Sequence, residues 1–349
     1  MTTMSGGGPQ RGRAPRSIGL WGAPQSGKTT FLAALYIAVA RSVMDLNLFG
    51  VDDKSTDFMI DSTRTLTNDH LFPAATQADS SYSWTMNMST QEAVRDRGRF
   101  GRATTTTTTV RSQFNIDLRD APGGWFASQL KAGQAPAQQA GGRLNLGGGT
   151  PAAAGSPAGP QADMMDYLAG CDGLLLLIDP VREQKLGDAH EYFQGTLLRI
   201  AQRKLATMPG GSRLPHHVAV CITKFDHPDV YGFARLRGYR TYNEDDPYLF
   251  PHVHDDDAEN FFREFCRRSP ASEADMLCSA LGKFFEPDRI RFFVTSSIGF
   301  YLGQSSRFRD DDPQNCEDRN GTATIRGQIH PINTLEPILW LGRRVTSGG

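Results

Sequence analysis

The segment that decides the fold runs from residue 17 to residue 43 and reads SIGLWGAPQSGKTTFLAALYIAVARSV. Ser17 to Trp21 predicts a short buried strand, and the nearly continuous apolar positions after Lys28 predict a buried helix. The turn between them, Gly22-Ala23-Pro24-Gln25-Ser26-Gly27-Lys28-Thr29, matches the pattern G-x-x-x-x-G-K-[ST] and stands where that pattern functions, after a strand and at the start of a helix.

The chemistry of this turn is that of a phosphate-binding loop. Its glycines let the backbone wrap closely, so that successive N–H groups and the helix N-terminus face an anion. Lys28 is expected to reach the β- and γ-phosphates of a nucleotide, and Thr29 is expected to offer its hydroxyl to Mg²⁺. The structural alternative is a strand-to-helix turn with a chance Lys-Thr pair, which the strand and helix signals on either side disfavour.

Composition excludes several function classes. The chain has 349 residues with 37 basic and 38 acidic side chains, a formal net charge of −1, so no global basic field attracts nucleic acid in general. Five cysteines without a C-x-x-C spacing indicate reduced thiols and a cytoplasmic protein. The longest apolar run, Gly173 to Ile178, is too short to span a membrane. Residues 1–16 are Gly-rich and are expected to form a disordered tail.

The rest of the chain predicts an α/β fold with a mostly parallel sheet flanked by helices, in one domain over 17–349. Alternation predicts a hairpin of strands 82–88 and 104–118, joined by an exposed loop that carries Arg95, Arg97, Arg99 and Arg102. Further strands are expected at 173–179, 217–223 and 290–295, and helices at 188–208, 255–268 and 271–284. We expect a disordered low-complexity insertion at 130–161, a helical insertion at 228–288 and a C-terminal helix at 333–344.

Asp120-Ala121-Pro122-Gly123 follows the strand Phe114 to Leu118 and has the form D-x-x-G. A carboxylate at the carboxyl end of a strand can hold a Mg²⁺-bound water, and the Gly123 N–H can meet a γ-phosphate. An ordinary turn is the alternative reading, and it is the more frequent one for D-x-P-G alone. The phosphate-loop pattern upstream favours the nucleotide site.

Thr223-Lys224-Phe225-Asp226 closes another predicted strand. The Asp226 carboxylate can accept hydrogen bonds from the N1–H and 2-amino groups of guanine, a donor pair that adenine lacks, while the Lys224 stem lies along the base. Thr295-Ser296-Ser297 ends the last predicted strand, where a backbone N–H can meet the guanine O6. Each of these segments is equally typical of a surface turn when it is taken alone.

In this order, GAPQSGKT, DAPG, TKFD and TSS resemble the G1, G3, G4 and G5 boxes of the Ras-like, translation-factor-related class of P-loop GTPases. The two insertions and the ending HPINTLEPILWL resemble the bacterial double-GTPase families, whose members are similar to components of conflict and signalling systems. The resemblance implies GTP/GDP and Mg²⁺ as ligands, GTP hydrolysis, and a protein partner or a second GTPase protomer. The nucleotide-binding residues that it implies are Gly22, Ala23, Pro24, Gln25, Ser26, Gly27, Lys28, Thr29, Thr30, Asp120, Gly123, Thr223, Lys224, Asp226, Ser296 and Ser297.

Two departures from the family pattern bear on activity. Thr223 replaces the Asn that normally braces the phosphate loop, and Gly124 stands where a water-orienting Gln is common. We therefore expect slow hydrolysis without a partner, with the hairpin arginines as candidates to act on a second molecule. Thr76 is the expected switch threonine and, with Thr29 and Asp120, a Mg²⁺ ligand; Lys28 and Thr76 are the expected catalytic residues. Thr104 is the alternative to Thr76.

Three functions remain open from sequence alone. The first is a guanine-nucleotide switch that hydrolyses GTP. The second is a GTP-binding interaction scaffold without useful turnover, which Gly124 favours. The third is a P-loop ATPase or kinase, which Asp226 opposes because adenine offers no donor pair to its carboxylate.

Overall fold

The computed structural model describes residues 16–74, 80–97, 103–120, 160–206, 208, 213–304 and 306–347. The tail up to residue 15 and residues 130–159 of the expected low-complexity insertion lie outside these ranges. Arg16, which the sequence placed in the tail, is the first residue of a strand and pairs with Phe114. Positions 160 and 161 are helical, so the low-complexity insertion ends before them.

A seven-stranded sheet is the central layer. Its strands are β1 (Arg16–Gly22), β2 (Leu46–Gly50), β3 (Ser80–Arg97), β4 (Ala103–Asp120), β5 (Gly173–Ile178), β6 (His217–Ile222) and β9 (Ile290–Val294). Two small hairpins stand apart from it: β7 (Arg240–Tyr242) with β8 (Pro251–Val253), and β10 (Cys316–Arg319) with β11 (Thr322–Ile325).

Nine α-helices fall within the described ranges. They are α1 (Lys28–Arg41), α2 (Asp53–Thr67), α3 (Pro160–Gly170), α4 (Pro180–Leu186), α5 (Ala189–Leu205), α6 (Pro228–Arg237), α7 (Ala258–Cys266), α8 (Ala274–Phe284) and α9 (Glu336–Ser347). Two 3₁₀ turns cover Asp255–Asp257 and Pro287–Arg289. Over the same ranges, no helix combines the length and the apolar character that a membrane span needs.

The sheet order is β2-β3-β4-β1-β5-β6-β9. All pairs from β4 to β9 are parallel, whereas β2, β3 and β4 pair antiparallel. The predicted α/β fold with a mostly parallel sheet is therefore confirmed. Because β4, β1, β5, β6 and β9 run in one direction, their carboxyl ends share one edge of the sheet, where ligands of such folds bind.

Helices cover the sheet on both faces because the parallel strands are apolar on both. Ile18 and Leu20 of β1 face α1, α2 and α9, whereas Trp21 faces α3 and α5. Every residue of β5 is buried, as its unbroken apolar sequence predicts. The sheet is thereby buried between two layers of helices, and the loops that form the carboxyl edge connect these layers.

Four local predictions differ from the structure. The expected loop after residue 88 continues as strand to Arg97, because antiparallel pairing with β4 proceeds through that whole stretch. The C-terminal helix begins at Glu336 rather than at 333: Asn333 has a left-handed φ of 52° and donates its side-chain amide to the Val294 carbonyl at 3.2 Å. The 228–288 segment carries a third helix, α6, and the β7–β8 hairpin. Edge strand β2 and helix α2 were not predicted.

Gly342 of α9 provides a test of helix docking. A Cβ there would lie 2.3 Å from Cε1 of the fully buried Phe114, whereas a Cβ at Gly282 of α8 would meet no atom within 4 Å. We expect Gly342→Ala to lower the free energy of unfolding by about 1–3 kcal/mol through overpacking. Gly282→Ala should instead raise it by up to about 1 kcal/mol through helix propensity. Urea denaturation measures both, and equal effects would contradict the docking geometry.

Candidate functional site

A cavity of about 790 Å³ opens at the carboxyl edge of the sheet. Its volume is in the usual range for a small-molecule site. Four segments that are far apart in sequence line it: the loop after β1 with the start of α1, the segment before residue 75, the loop after β6, and the region after β9. The lining residues are Pro24, Gln25, Ser26, Gly27, Lys28, Thr29, Thr30, Phe72, Pro73, Ala74, Thr223, Lys224, Asp226, His227, Pro228, Ser297, Ile298, Gln314, Cys316, Glu317, Asp318 and Ala323.

The loop between β1 and α1 has the backbone of an anion cradle. Gly27 is left-handed with φ of 90° and Gln25 has φ of 64°, so the chain curls around the start of α1. Lys28 Nζ donates to the carbonyl oxygens of Gly22 at 3.1 Å and Ala23 at 3.3 Å. The ammonium group is thus held over the concave side of the loop, beside the N-terminus of the helix.

Gly22 is required by close approach rather than by its φ angle. A Cβ there would lie 2.5 Å from Ser26 Oγ and 2.8 Å from the Leu177 carbonyl oxygen of β5. The Gly22 carbonyl also accepts a hydrogen bond from the Tyr192 hydroxyl at 3.0 Å. Tyr192 was not predicted, and no local pattern on α5 marks it, because the contact joins residues 170 positions apart.

The Thr223 side chain links the end of β6 to β5 and to the loop between β1 and α1. Its buried hydroxyl lies 3.1 Å from the Ile178 carbonyl and 3.4 Å from the Ser26 carbonyl. One hydroxyl hydrogen serves one acceptor at a time, and the shorter contact is to β5. The bond to the loop is therefore the weaker one.

Lys224 has a left-handed backbone with φ of 60°, and its Nζ lies 2.5 Å from Oδ2 of Asp179. Asp179 is buried and its other oxygen caps α4 by accepting from the Val181 N–H at 3.0 Å. The ion pair holds the Lys224 stem along the cavity wall. Asp179 was missed as a site residue, although Asp179-Pro180 after an apolar strand is a recognisable helix start.

Asp226 is half-buried and accepts a hydrogen bond from the Ser296 hydroxyl through Oδ1. Ser296 Oγ in turn accepts from the Gly299 N–H at 2.8 Å. Burial raises the pKa of the Asp226 carboxyl, and the Ser296 hydrogen bond offsets part of that rise. Ser296 thus orients Asp226, and it is the next residue, Ser297, that reaches the cavity.

Another wall of the cavity is formed by residues 72–74 and the β10–β11 hairpin, two segments whose contact the sequence did not predict. The Ile325 N–H of β11 donates to the His70 carbonyl at 2.9 Å, and Leu71 forms a β-bridge with Thr324. Phe72 and Cys316 pack on one small apolar cluster that includes Ile298. The β10–β11 hairpin therefore contacts residues 70–72.

Several predicted residues lie outside the described part of the chain: Thr76, Gly123 and Gly124 entirely, and Asp120 as to its side chain. The Asp120 backbone ends β4 at the edge of the sheet that carries the cavity. Thr104 is in β4 opposite Asp96, roughly 50 Å from that end at the usual rise of a strand. Thr104 is therefore wrong as the alternative switch threonine. Positions 95 and 97 pair with positions 105 and 103, so they also lie far from the cavity of their own molecule.

Asp226 predicts a specific pH dependence of stability. A carboxyl whose pKa is raised in the folded state stabilises the fold at low pH, and that contribution is lost as pH rises through the folded pKa. We expect Asp226→Asn to be more stable than the wild type at pH 8 without ligand, with the difference shrinking toward about pH 4, near the ordinary carboxyl pKa. Thermal unfolding across this range measures it. Asp229→Asn, at an exposed position nearby, should show no such trend.

No family model and no curated protein matches this sequence. Among solved structures, the signal recognition particle receptor SRβ-GTP/SRX complex from Chaetomium thermophilum is similar at 13% identity over 84% of this chain and 95% of that chain, with a TM-score of 0.33. The structure of Sup35 complexed with GDP is similar at 10% identity over 82% of this chain and 38% of that chain, with a TM-score of 0.29.

Proposed function

We propose that this protein is a guanine-nucleotide switch that binds GTP and hydrolyses it to GDP. One observation carries the proposal: the loop that ends at Lys28, the Asp226 carboxylate and Ser297 line a single cavity, although they come from three distant parts of the chain. A nucleotide needs a cationic cradle for its phosphates and a separate acceptor for its base. This cavity offers both within one volume of about 790 Å³.

The phosphate end is the loop from Gly22 to Thr29. Gly22 has no Cβ, and Gly27 has a left-handed backbone conformation. Both features suit a loop that wraps closely around phosphate oxygens. The Lys28 ammonium now bonds two loop carbonyls and would exchange them for the β- and γ-phosphates. Thr29 lines the cavity and would hold Mg²⁺ with Asp120 and Thr76; the ion would neutralise charge on the phosphates.

The base end is formed by Lys224, Asp226 and Ser297. The Asp226 carboxylate would accept from guanine N1–H and the 2-amino group, because Ser296 occupies only its Oδ1 atom from one side. The Asp179–Lys224 ion pair keeps the Lys224 stem extended beside the base. Desolvation of Asp226 without a ligand is costly, and two donors from guanine would offset that cost.

Hydrolysis would proceed by in-line attack of a water oxygen on the γ-phosphorus. The new P–O bond forms as the bond from the γ-phosphorus to the β–γ bridging oxygen breaks, giving GDP, inorganic phosphate and a proton. Lys28 and the loop N–H groups would stabilise the charge that develops on the phosphate oxygens. Gly124 has no side chain to orient the water, so turnover of the isolated protein should be slow. A GTP-binding scaffold without turnover is the alternative, and a single-turnover assay separates the two.

Lys28→Ala tests the phosphate end. Loss of the ammonium group should weaken GTP binding at least tenfold, about 1.4 kcal/mol or more. Fluorescent-nucleotide titration measures the affinity. Lys283→Ala removes an equal charge from an exposed position of α8 that does not line the cavity, and it should bind GTP as the wild type does. Unchanged affinity of Lys28→Ala would refute the assignment of the phosphate loop.

Asp226→Asn tests the base end. The substitution replaces an acceptor oxygen by an amide donor, which opposes the guanine N–H groups and suits the 2-oxo group of xanthine. Affinity should therefore shift from GTP toward XTP. Competition by GTP, XTP and ATP measures the preference in both proteins. A variant that keeps the wild-type preference, or a wild type that binds ATP as tightly as GTP, would rule out guanine recognition and favour a P-loop ATPase or kinase.

A further inference from the structure

The β10–β11 hairpin forms a wall of the cavity to which the proposed function assigns no part of the nucleotide. Its residues Cys316, Glu317, Asp318 and Ala323 line the cavity together with the phosphate loop and Asp226. In a nucleotide, the ribose joins the phosphates to the base. The phosphate loop accounts for one end of the ligand and Asp226 for the other, so the ribose requires a place on the wall between them.

The hairpin lies beside both ends of the cavity. Ile325 of β11 and the partly buried Cys316 of β10 pack in one apolar cluster with Ala33 of α1 and with Ile298. Ala33 is one helical turn beyond the phosphate loop, and Ile298 directly follows the serine at the base end. One face of the hairpin therefore reaches from the start of α1 to the base end, and this is where a ribose that joins the two is expected.

Hydrogen bonds hold the hairpin in this position. The fully buried Asn315 side chain donates to the carbonyl oxygens of Ile298 and Gln328, each at 3.1 Å, and accepts from the Gly327 N–H at 2.9 Å. On its other side, β11 bonds to residues 70–71 through one backbone hydrogen bond and a β-bridge. A buried amide whose donors and acceptor are all satisfied has little freedom to move, so this wall is fixed relative to the base end.

Asp318 is the charged side chain on the face of the hairpin that reaches the cavity. It lies two positions after Cys316 in β10 and therefore on the same face. Cys316 pairs with Ile325 on the apolar cluster, and the next pair on this face, Asp318 with Ala323, lines the cavity. Burial raises the pKa of the Cys316 thiol and the Asp226 carboxylate raises it further, as expected if this face begins close to the base end.

A carboxylate at this place suits hydroxyl groups and opposes phosphates. An ionised carboxylate only accepts hydrogen bonds, and its charge repels phosphate oxygens. Oδ1 of Asp318 accepts from the Gly321 N–H at 2.7 Å, which orients the carboxylate and uses one of its roughly four acceptor positions. The neighbouring Glu317 is instead paired with Arg319, at 2.5 Å through Oε1. Asp318 is therefore the better acceptor for a hydroxyl group in the cavity.

We infer that Asp318 binds a ribose hydroxyl of the nucleotide and makes the site selective for ribonucleotides over deoxyribonucleotides. The inference rests on the proposed function and deepens it by naming the sugar. The 2′- or 3′-hydroxyl donates to the carboxylate in a charge-assisted O–H···O bond, which is stronger than a bond between neutral groups. A nucleotide that lacks this hydroxyl leaves the carboxylate without that donor, so it should bind more weakly.

The competing role of Asp318 is structural, because its bond to Gly321 stabilises the turn between β10 and β11. A stable turn contributes equally to the binding of both sugars, whereas a ribose-binding residue changes the ratio of the two affinities. Asn320 provides the matched control, since it lies in the same turn with a left-handed φ of 56° and does not line the cavity. Asn320→Ala strains the turn and leaves the ribose contact in place.

The experiment titrates the full-length wild type and both variants with GTP, 2′-deoxy-GTP and 3′-deoxy-GTP by calorimetry, and it also records the thermal midpoints. We expect the wild type to bind GTP at least about tenfold more tightly than the analogue that lacks the contacting hydroxyl. Asp318→Ala should bring this ratio close to one, mainly by weakening GTP binding. Asn320→Ala should keep the wild-type ratio even where its thermal midpoint falls.

A wild type that binds both deoxy analogues as tightly as GTP would overturn the inference, and so would an Asp318→Ala variant that keeps the wild-type ratio. If Asp318→Ala does not fold, Asp318→Asn takes its place, because it retains Oδ1 for Gly321 and removes the charge. Its ratio should fall below that of the wild type, and an unchanged ratio contradicts the inference. A wild type that binds no guanine nucleotide would refute the proposed function itself, whereas GTP binding without discrimination between the sugars refutes the inference alone.

Discussion

The site depends on the close approach of Gly22 to β5. A Cβ at this position would lie 2.8 Å from the Leu177 carbonyl oxygen and 2.5 Å from Ser26 Oγ. Only glycine therefore fits where the chain leaves β1. The same approach places the Gly22 carbonyl where both Lys28 and Tyr192 bond to it. One carbonyl group thus accepts hydrogen bonds from the Lys28 ammonium group and from Tyr192 of α5, so the loop, the start of α1 and α5 are joined at a single point.

Two charged side chains, Lys224 and Asp226, line another part of the cavity, and they have different kinds of hydrogen-bond partner. Lys224 is paired with a buried carboxylate, Asp179, which also caps a helix and therefore has little freedom to move. Burial raises the pKa of the Asp226 carboxyl, and the hydrogen bond from Ser296 and the charge of Lys224 offset only part of that rise. A buried charge that is incompletely satisfied destabilises the unliganded fold and is available to a ligand that brings donors.

Local patterns predicted those elements whose signals are contained in their own residues. β1, α1, β5, β6 and β9 stand where apolar runs and the glycine-rich turn predicted them. Predictions were wrong where pairing with a distant segment decides the outcome, as in the extension of β3 to Arg97. Edge strand β2 carries the exposed Phe49 and has too short a pattern to recognise; its conformation comes from pairing with β3.

The sequence by itself determined the α/β class and the order in which the strand-end segments reach one edge of the sheet, because these follow from residue type, spacing and the rule that parallel strands end at one edge. Tertiary structure alone decided that Tyr192 bonds to the Gly22 carbonyl, that Asp179 holds Lys224, and that the β10–β11 hairpin contacts His70 and Leu71. These contacts join side chains from separate strands and helices. Their distances depend on sheet register and helix packing, which no local pattern encodes.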